Sequence, residues 1–207
     1  SNLGEPALYV KMFDKMVRAW RDAWGEGEFP FYYCQIAPYN YGGSLNSSYI
    51  REAQARGMST TPNTGMAVLM DAGSPACIHP PKKADAGERM ALWALAKTYG
   101  MTGMHYRSPE YKSMEIEGRV AIVTFEMFGS ANGLVAPGGE LRQFKVSGEN
   151  KRFYDAKAAL VGDKVYLFSP SVPHPVAVRY CFDHTSGTEL FSSEGNLPVS
   201  SFRTDEW

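Results

Sequence analysis

Near residue 104 the chain changes its hydrophobic rhythm, and this change limits the folds open to it. Upstream, apolar residues recur at helical spacing or in short buried-type runs. In "LYVKMFDKMVRAWRDAW", residues 8–24, Tyr9, Phe13, Met16, Trp20 and Trp24 stand three or four apart. That is the apolar stripe of an amphipathic helix. Pro6 lies near its start, where a missing N–H costs nothing, and Gly25 follows its end. "FPFYYCQIAPY" reads as a buried strand over residues 31–37, "SSYIREAQARGM" as a helix capped by Ser47 or Ser48, and "MAVLMD" as a second strand. A third helix is expected over roughly 82–99, ended by Gly100. Helix, strand, helix, strand, helix is the order of a parallel α/β sheet, of which this is only a part.

Downstream, "VAIVTFEMF", "QFKVSG", "KVYLFS" and "VAVRYCF" are β-branched and aromatic runs separated by Gly and Pro turns. That spacing predicts an antiparallel sandwich-like module. The expected organisation is half an α/β domain over residues 1–104 and an all-β domain over 105–207.

The formal net charge of −1 gives no electrostatic case for a nucleic-acid or acidic-membrane partner. No apolar run reaches the ~18 residues of a membrane span. Three cysteines, Cys34, Cys77 and Cys181, form neither a disulfide framework nor a CxxC zinc pair. No two of the four histidines have metal-ligand spacing, and nothing in the chain points to a cofactor.

One short stretch concentrates possible chemistry. His79 stands in "CIHPPKK", where a strand has ended and a helix is about to begin. Sites in open α/β sheets form at such strand ends. Pro80 and Pro81 stiffen the turn, and an imidazole titrates near neutrality, which suits general acid–base work. The alternative is a surface or capping histidine. Asp71, eight residues upstream, either orients His79 or caps the turn. Cys77 offers a Cys–His pair or a small thiol filling a gap. Asp85 and Glu88 read as first-turn helix charges. No GxSxG elbow occurs, and Ser44, Ser47, Ser48 and Ser74 read as loop or cap residues. Gln35 and Tyr39, at the end of the first strand, either line a cleft or serve the structure. Phe125, Phe128, Phe144, Tyr166 and Tyr180 in the β module belong to a core or, in a rival reading, to a non-catalytic carbohydrate-binding surface.

These pieces together resemble a known family. "YVKMFDKMVRAWRDAWGEGEFPFYYCQIAPYNY", "REAQ", "PNTGMAVLMD", "IHPPKKADAGERMALWALAKTYG" and "GNLPVSSFRTDEW" are similar to the sialate O-acetylesterases of the SGNH-hydrolase superfamily. So are "GLVAPGGELRQFKVSGENKRFYDAKA" and "PVAVRYCF", and the resemblance spans essentially the whole chain. It implies that residues 1–104 are the second half of a flavodoxin-like, three-layer parallel-sheet esterase domain. It implies a carboxylic ester hydrolase that frees acetyl groups from O-acetylated sialic acid or a related acylated sugar, with no cofactor.

His79 takes the place of the family's base. The serine nucleophile belongs to an N-terminal "GQSN"-type motif outside these residues, so the N-terminal half of the protein is an expected partner. The opening "SNLGEPALY" matches what surrounds the end of the family's "GESN" landmark, which places Ser1 and Asn2 in it. Superfamily members hold an acid two or three residues before the histidine; here those positions are Cys77 and Ala76. Asp71, a backbone carbonyl or a Ser–His dyad then remains for the third role. Export to the periplasm or outside the cell is also implied.

Overall fold

Helix α1 (Pro6–Trp24) forms between the two signals that bound it. Gly25 closes it at φ 70°, its N–H returning to the Arg21 carbonyl. The line that α1 buries is not the aromatic stripe. Phe13, Val17 and Arg21 are buried, whereas Met16, Trp20 and Trp24 are exposed. The reason is what lies beneath: Phe13 meets Phe31 and Tyr33, and Arg21 donates to the carbonyls of Phe29 and Asn63.

The computed structural model describes residues 2–130 and 132–207; Ser1, matched above to the family landmark, lies outside them. The chain divides into two compact units: residues 1–107 with Asp183–Thr185, and 108–182 with 186–207.

In the first unit, α1 is followed by β1 (Phe31–Cys34), α2 (Ser48–Thr60), β2 (Thr64–Ala67) and α3 (Lys83–Trp93), which runs into a π-helical turn, Ala94–Thr98. β1 and β2 run parallel, in register from Phe31 opposite Thr64 to Cys34 opposite Ala67. Side chains alternate across β1: Phe31 and Tyr33 face α1, while Tyr32 packs against Trp93 of α3. Gly65 is required beneath Trp93, because a Cβ there would lie 2.5 Å from the indole.

The second unit holds β3 (Glu110–Glu117), β4 (Val120–Glu126), β5 (Leu134–Val135), β6 (Phe144–Ser147), β7 (Phe153–Asp155), β8 (Lys157–Val161), β9 (Lys164–Phe168), β10 (Ala177–Tyr180), β11 (Phe191–Ser192) and β12 (Phe202–Arg203). They form sheets of order β3-β4-β9-β8, β12-β10-β6-β7 and β11-β5, antiparallel throughout. The β3–β4 and β8–β9 hairpins turn through Gly118–Arg119 and Gly162–Asp163, with positive φ (58° and 62°) at the glycine. Positive φ at the first turn residue alone matches a type II′ hairpin. Phe125, Phe144 and Tyr180 are buried in this unit and are not presented for stacking on a sugar, whereas Phe128 is half-buried and Tyr166 is 36% exposed.

The flavodoxin-like α/β expectation is overturned. Among the described residues the only parallel pair is β1–β2; the sheets are mostly antiparallel, and α-helix is confined to α1, α2 and α3. Each parallel neighbour needs a crossover of about a dozen residues or more. Among the described residues two strand connections are that long, the one through α2 and the one through α3, and only α2 joins neighbouring strands; most connections after β3 are short turns, which favour antiparallel pairing. "MAVLMD" also yields less strand than its composition suggests. β2 ends at Ala67, and Val68, Leu69 and Met70 are buried without joining a sheet.

Candidate functional site

The loop from Val68 to Lys82 carries His79. Its base is held from several sides. Gly73 sits so close to Pro38 that a Cβ would lie 2.4 Å from the Pro38 carbonyl oxygen. The Asn40 N–H donates to the Pro75 carbonyl (3.2 Å), and Ser74 and Cys77 form an isolated antiparallel bridge. Thus the segments that follow β1 and β2 are seated on one another. At the tip, the Cys77 thiol donates to the His79 carbonyl (3.4 Å). The His79 residue is exposed, and its ring has no hydrogen-bond partner among the described residues.

Asp71 does not engage His79. Its two carboxylate oxygens accept from the two terminal nitrogens of Arg89, each at 2.6 Å. The Arg89 Nη1 also donates to the Val68 carbonyl at 2.7 Å. Arg89 lies on α3, after the loop, and Val68 and Asp71 lie before the tip. The guanidinium therefore ties together the two ends of the segment that presents His79. Bidentate geometry and partial burial make this a strong, directional contact.

Gln35 is buried, and its amide Nε2 donates to the Arg51 carbonyl (3.2 Å), so its side chain serves the packing of β1 against α2. Tyr39 is half-buried. Its N–H donates to the His184 carbonyl (2.9 Å), and its ring stands edge-on to Tyr41, 5.0 Å away.

A second cluster escaped sequence reasoning. The Ser47 N–H donates to Nδ1 of His184 (3.2 Å), and the Ser47 hydroxyl lies 3.0 Å from the same nitrogen. Arg51 donates to the hydroxyls of Ser47 (3.2 Å) and Ser48 (2.7 Å) and to the Asp183 carbonyl. The expected cap of α2 is thus spent elsewhere: Ser47 stands at the N-cap position with no side-chain cap bond, and the Asn46 side chain accepts the Ser48 N–H. A Ser–His contact is the geometry of an activated nucleophile. Here Ser47 and Arg51 are both 0% exposed, so no ester reaches that hydroxyl. No local signal could have found the cluster, because 137 residues separate Ser47 from His184.

Burial raises the Cys34 thiol above its ordinary value, against a smaller lowering by Arg89, and burial likewise raises the Tyr41 hydroxyl. Among the described residues no group of three His, Cys, Asp or Glu side chains is placed to hold a metal ion. Among the described residues no helix is long and apolar enough to cross a membrane.

The structure is similar to that of XAC1771, a carbohydrate acetylesterase from Xanthomonas citri, with a TM-score of 0.87 and 36% sequence identity. The match takes in 96% of this chain and 46% of that one, so this chain spans about half the length of the protein it matches. No protein-family model and no curated protein matches the chain.

Proposed function

We propose that this chain is part of a carbohydrate esterase that removes O-acetyl groups from sialic acid or a related acetylated sugar. The observation that carries the reading is the 36% identity to a carbohydrate acetylesterase over 96% of this chain. The exposed His79, on a loop tied at both ends, supplies the general base. A serine from the N-terminal half of the same protein attacks the acetyl carbonyl, and His79 takes the hydroxyl proton. As the tetrahedral adduct collapses, the ester C–O bond breaks and His79 returns the proton to the departing sugar oxygen. Water then attacks the acetyl-serine by the same proton route and releases acetate. Arg89 holds the Asp71 carboxylate and no carboxylate among the described residues is bonded to His79, so the proposal is a Ser–His dyad.

A chimera tests this. The whole chain replaces the matching part of XAC1771, and release of acetate from O-acetylated sialic acid and from acetylated xylose is followed. Turnover of acetylated sugar that His79→Ala lowers at least ~100-fold supports the reading, since general acid–base catalysis is worth about that much. Unchanged turnover in His79→Ala overturns it. So would p-nitrophenyl acetate hydrolysis by the isolated chain that depends on His79. Burial of Phe125, Phe144 and Tyr180 gives no support to a sugar-stacking module, which would rest on Tyr166 and half-buried Phe128 alone.

A further inference from the structure

The exposed side of α1 does not look like a solvent face. Leu8, Met12, Met16, Trp20 and Trp24 follow one another at intervals of four and are 46%, 49%, 38%, 53% and 71% exposed. At that interval they form one continuous apolar row along the helix. Single exposed apolar residues are ordinary, but a contiguous row of large ones marks a surface made to be covered.

The row continues beyond the helix. The Trp20 ring stands against Phe31 of β1, with centroids 5.7 Å apart. All four residues of β1 remain half-exposed, whereas three of the four in β2 are buried. The Phe31 and Gln35 N–H groups point toward Asn63 and Ala67 on the β2 side, so alternation turns the peptides of Tyr32 and Cys34 outward. The Gln54 amide covers part of that edge, donating to the Cys34 carbonyl (3.4 Å) and accepting from the Ile36 N–H (3.0 Å). No described residue makes a hydrogen bond to the outward peptide of Tyr32. On the other face of β1, the Tyr32 hydroxyl bonds Thr98, and its neighbour Tyr99 is 74% exposed. One flank of the first unit is thus left apolar on α1, on β1 and at the end of α3.

We infer that this flank is the seat of the companion polypeptide: the part of an esterase chain that corresponds to the 54% of XAC1771 lying outside the match (100% less the 46% covered). The inference rests on the esterase reading above and gives its missing half a place to bind. Three features select this occupant over a free helix or small ligand. The surface runs over two helices and a strand, the five residues of the α1 row are all apolar although exposed Lys11 and Lys15 flank them, and the matched protein carries about as much chain again.

Hydroxyl-radical footprinting reads the idea side chain by side chain, because Met, Trp and Tyr oxidise readily. It is applied to the isolated chain and to the XAC1771 chimera. The expected result is that Met12, Met16, Trp20 and Trp24 oxidise readily in the isolated chain. In the chimera they should fall to the level of buried Trp93. Trp20→Lys should then lower the chimera's soluble yield while leaving the circular dichroism of the isolated chain unchanged. Equal oxidation in both molecules overturns the inference. So does protection that grows with concentration in the isolated chain while its mass doubles by light scattering, which would make a second copy the occupant. The two proposals fail separately. A protected row in a chimera without esterase activity sinks the catalytic reading alone, and an active chimera with an unprotected row sinks this one alone.

Discussion

The two units solve the same burial problem in different ways. The second unit seals an apolar core: Val123, Phe144, Val165, Leu167 and Tyr180 have no exposed surface. The first unit buries three arginines, Arg21, Arg51 and Arg89. Each sends its guanidinium to backbone carbonyls: Phe29 and Asn63, Asp183, and Val68. Buried carbonyls must be paired. Ten strands in the second unit pair many of theirs with one another, whereas two short strands cannot do so for the long loops around them. A planar guanidinium with five donors fills that gap. The difference also separates the candidate residues. The polar-pinned unit holds the loops that carry His79 and Tyr39, and the apolar-sealed unit holds neither.

The sharpest way to break this contrast is a pair of truncations. Phe144→Ala opens a cavity in a sealed core and should cost about 4 kcal/mol. Trp20→Ala, on the exposed row, should cost the isolated chain no more than ~0.5 kcal/mol. Guanidinium unfolding followed by circular dichroism compares them, and equal losses would erase the distinction between the units.

Next comes Arg89→Ala. It strips Asp71 of its partner inside a mostly buried pair and should cost about 3 kcal/mol. Hydrogen exchange should rise across residues 68–82 and leave the second unit unchanged. A uniform rise over the chain would show that the pin is not local.

The smallest expected effect concerns thiols. Exposed Cys77 should alkylate first, half-buried Cys34 later and buried Cys181 last. The thiolate is the reactive form, and burial disfavours it at Cys34. The Cys34 rate should therefore rise through a midpoint above that of an ordinary exposed thiol. Mass-spectrometric timing of iodoacetamide labelling against pH measures this, and a Cys34 midpoint at or below the ordinary value would contradict the burial described.

How much was legible depended on distance along the chain. The span of α1 followed from Pro6, the helical period and Gly25, all within one element. Which of its faces would be buried did not, because a period shows that a helix has a stripe but not what waits beneath it. The strand expected over residues 31–37 formed only as Phe31–Cys34 and is half-exposed rather than buried, while the glycines that turn the hairpins stood where a positive φ was needed. The site was legible only as residue types. His79 was noticed for its place before a helix, but Asp71 was offered to it as a partner when Arg89, eighteen residues on, holds that carboxylate.

By itself, then, the sequence determined the local pieces: helix ends, strand-forming runs and tight turns, each set by torsional preference and short-range spacing. Tertiary structure alone decided that among the described residues only β1 and β2 pair parallel, that Arg89 rather than His79 claims Asp71, and that His184 joins Ser47. Those choices depend on which distant groups can satisfy each other's hydrogen bonds once water is gone, and no near-neighbour pattern records that.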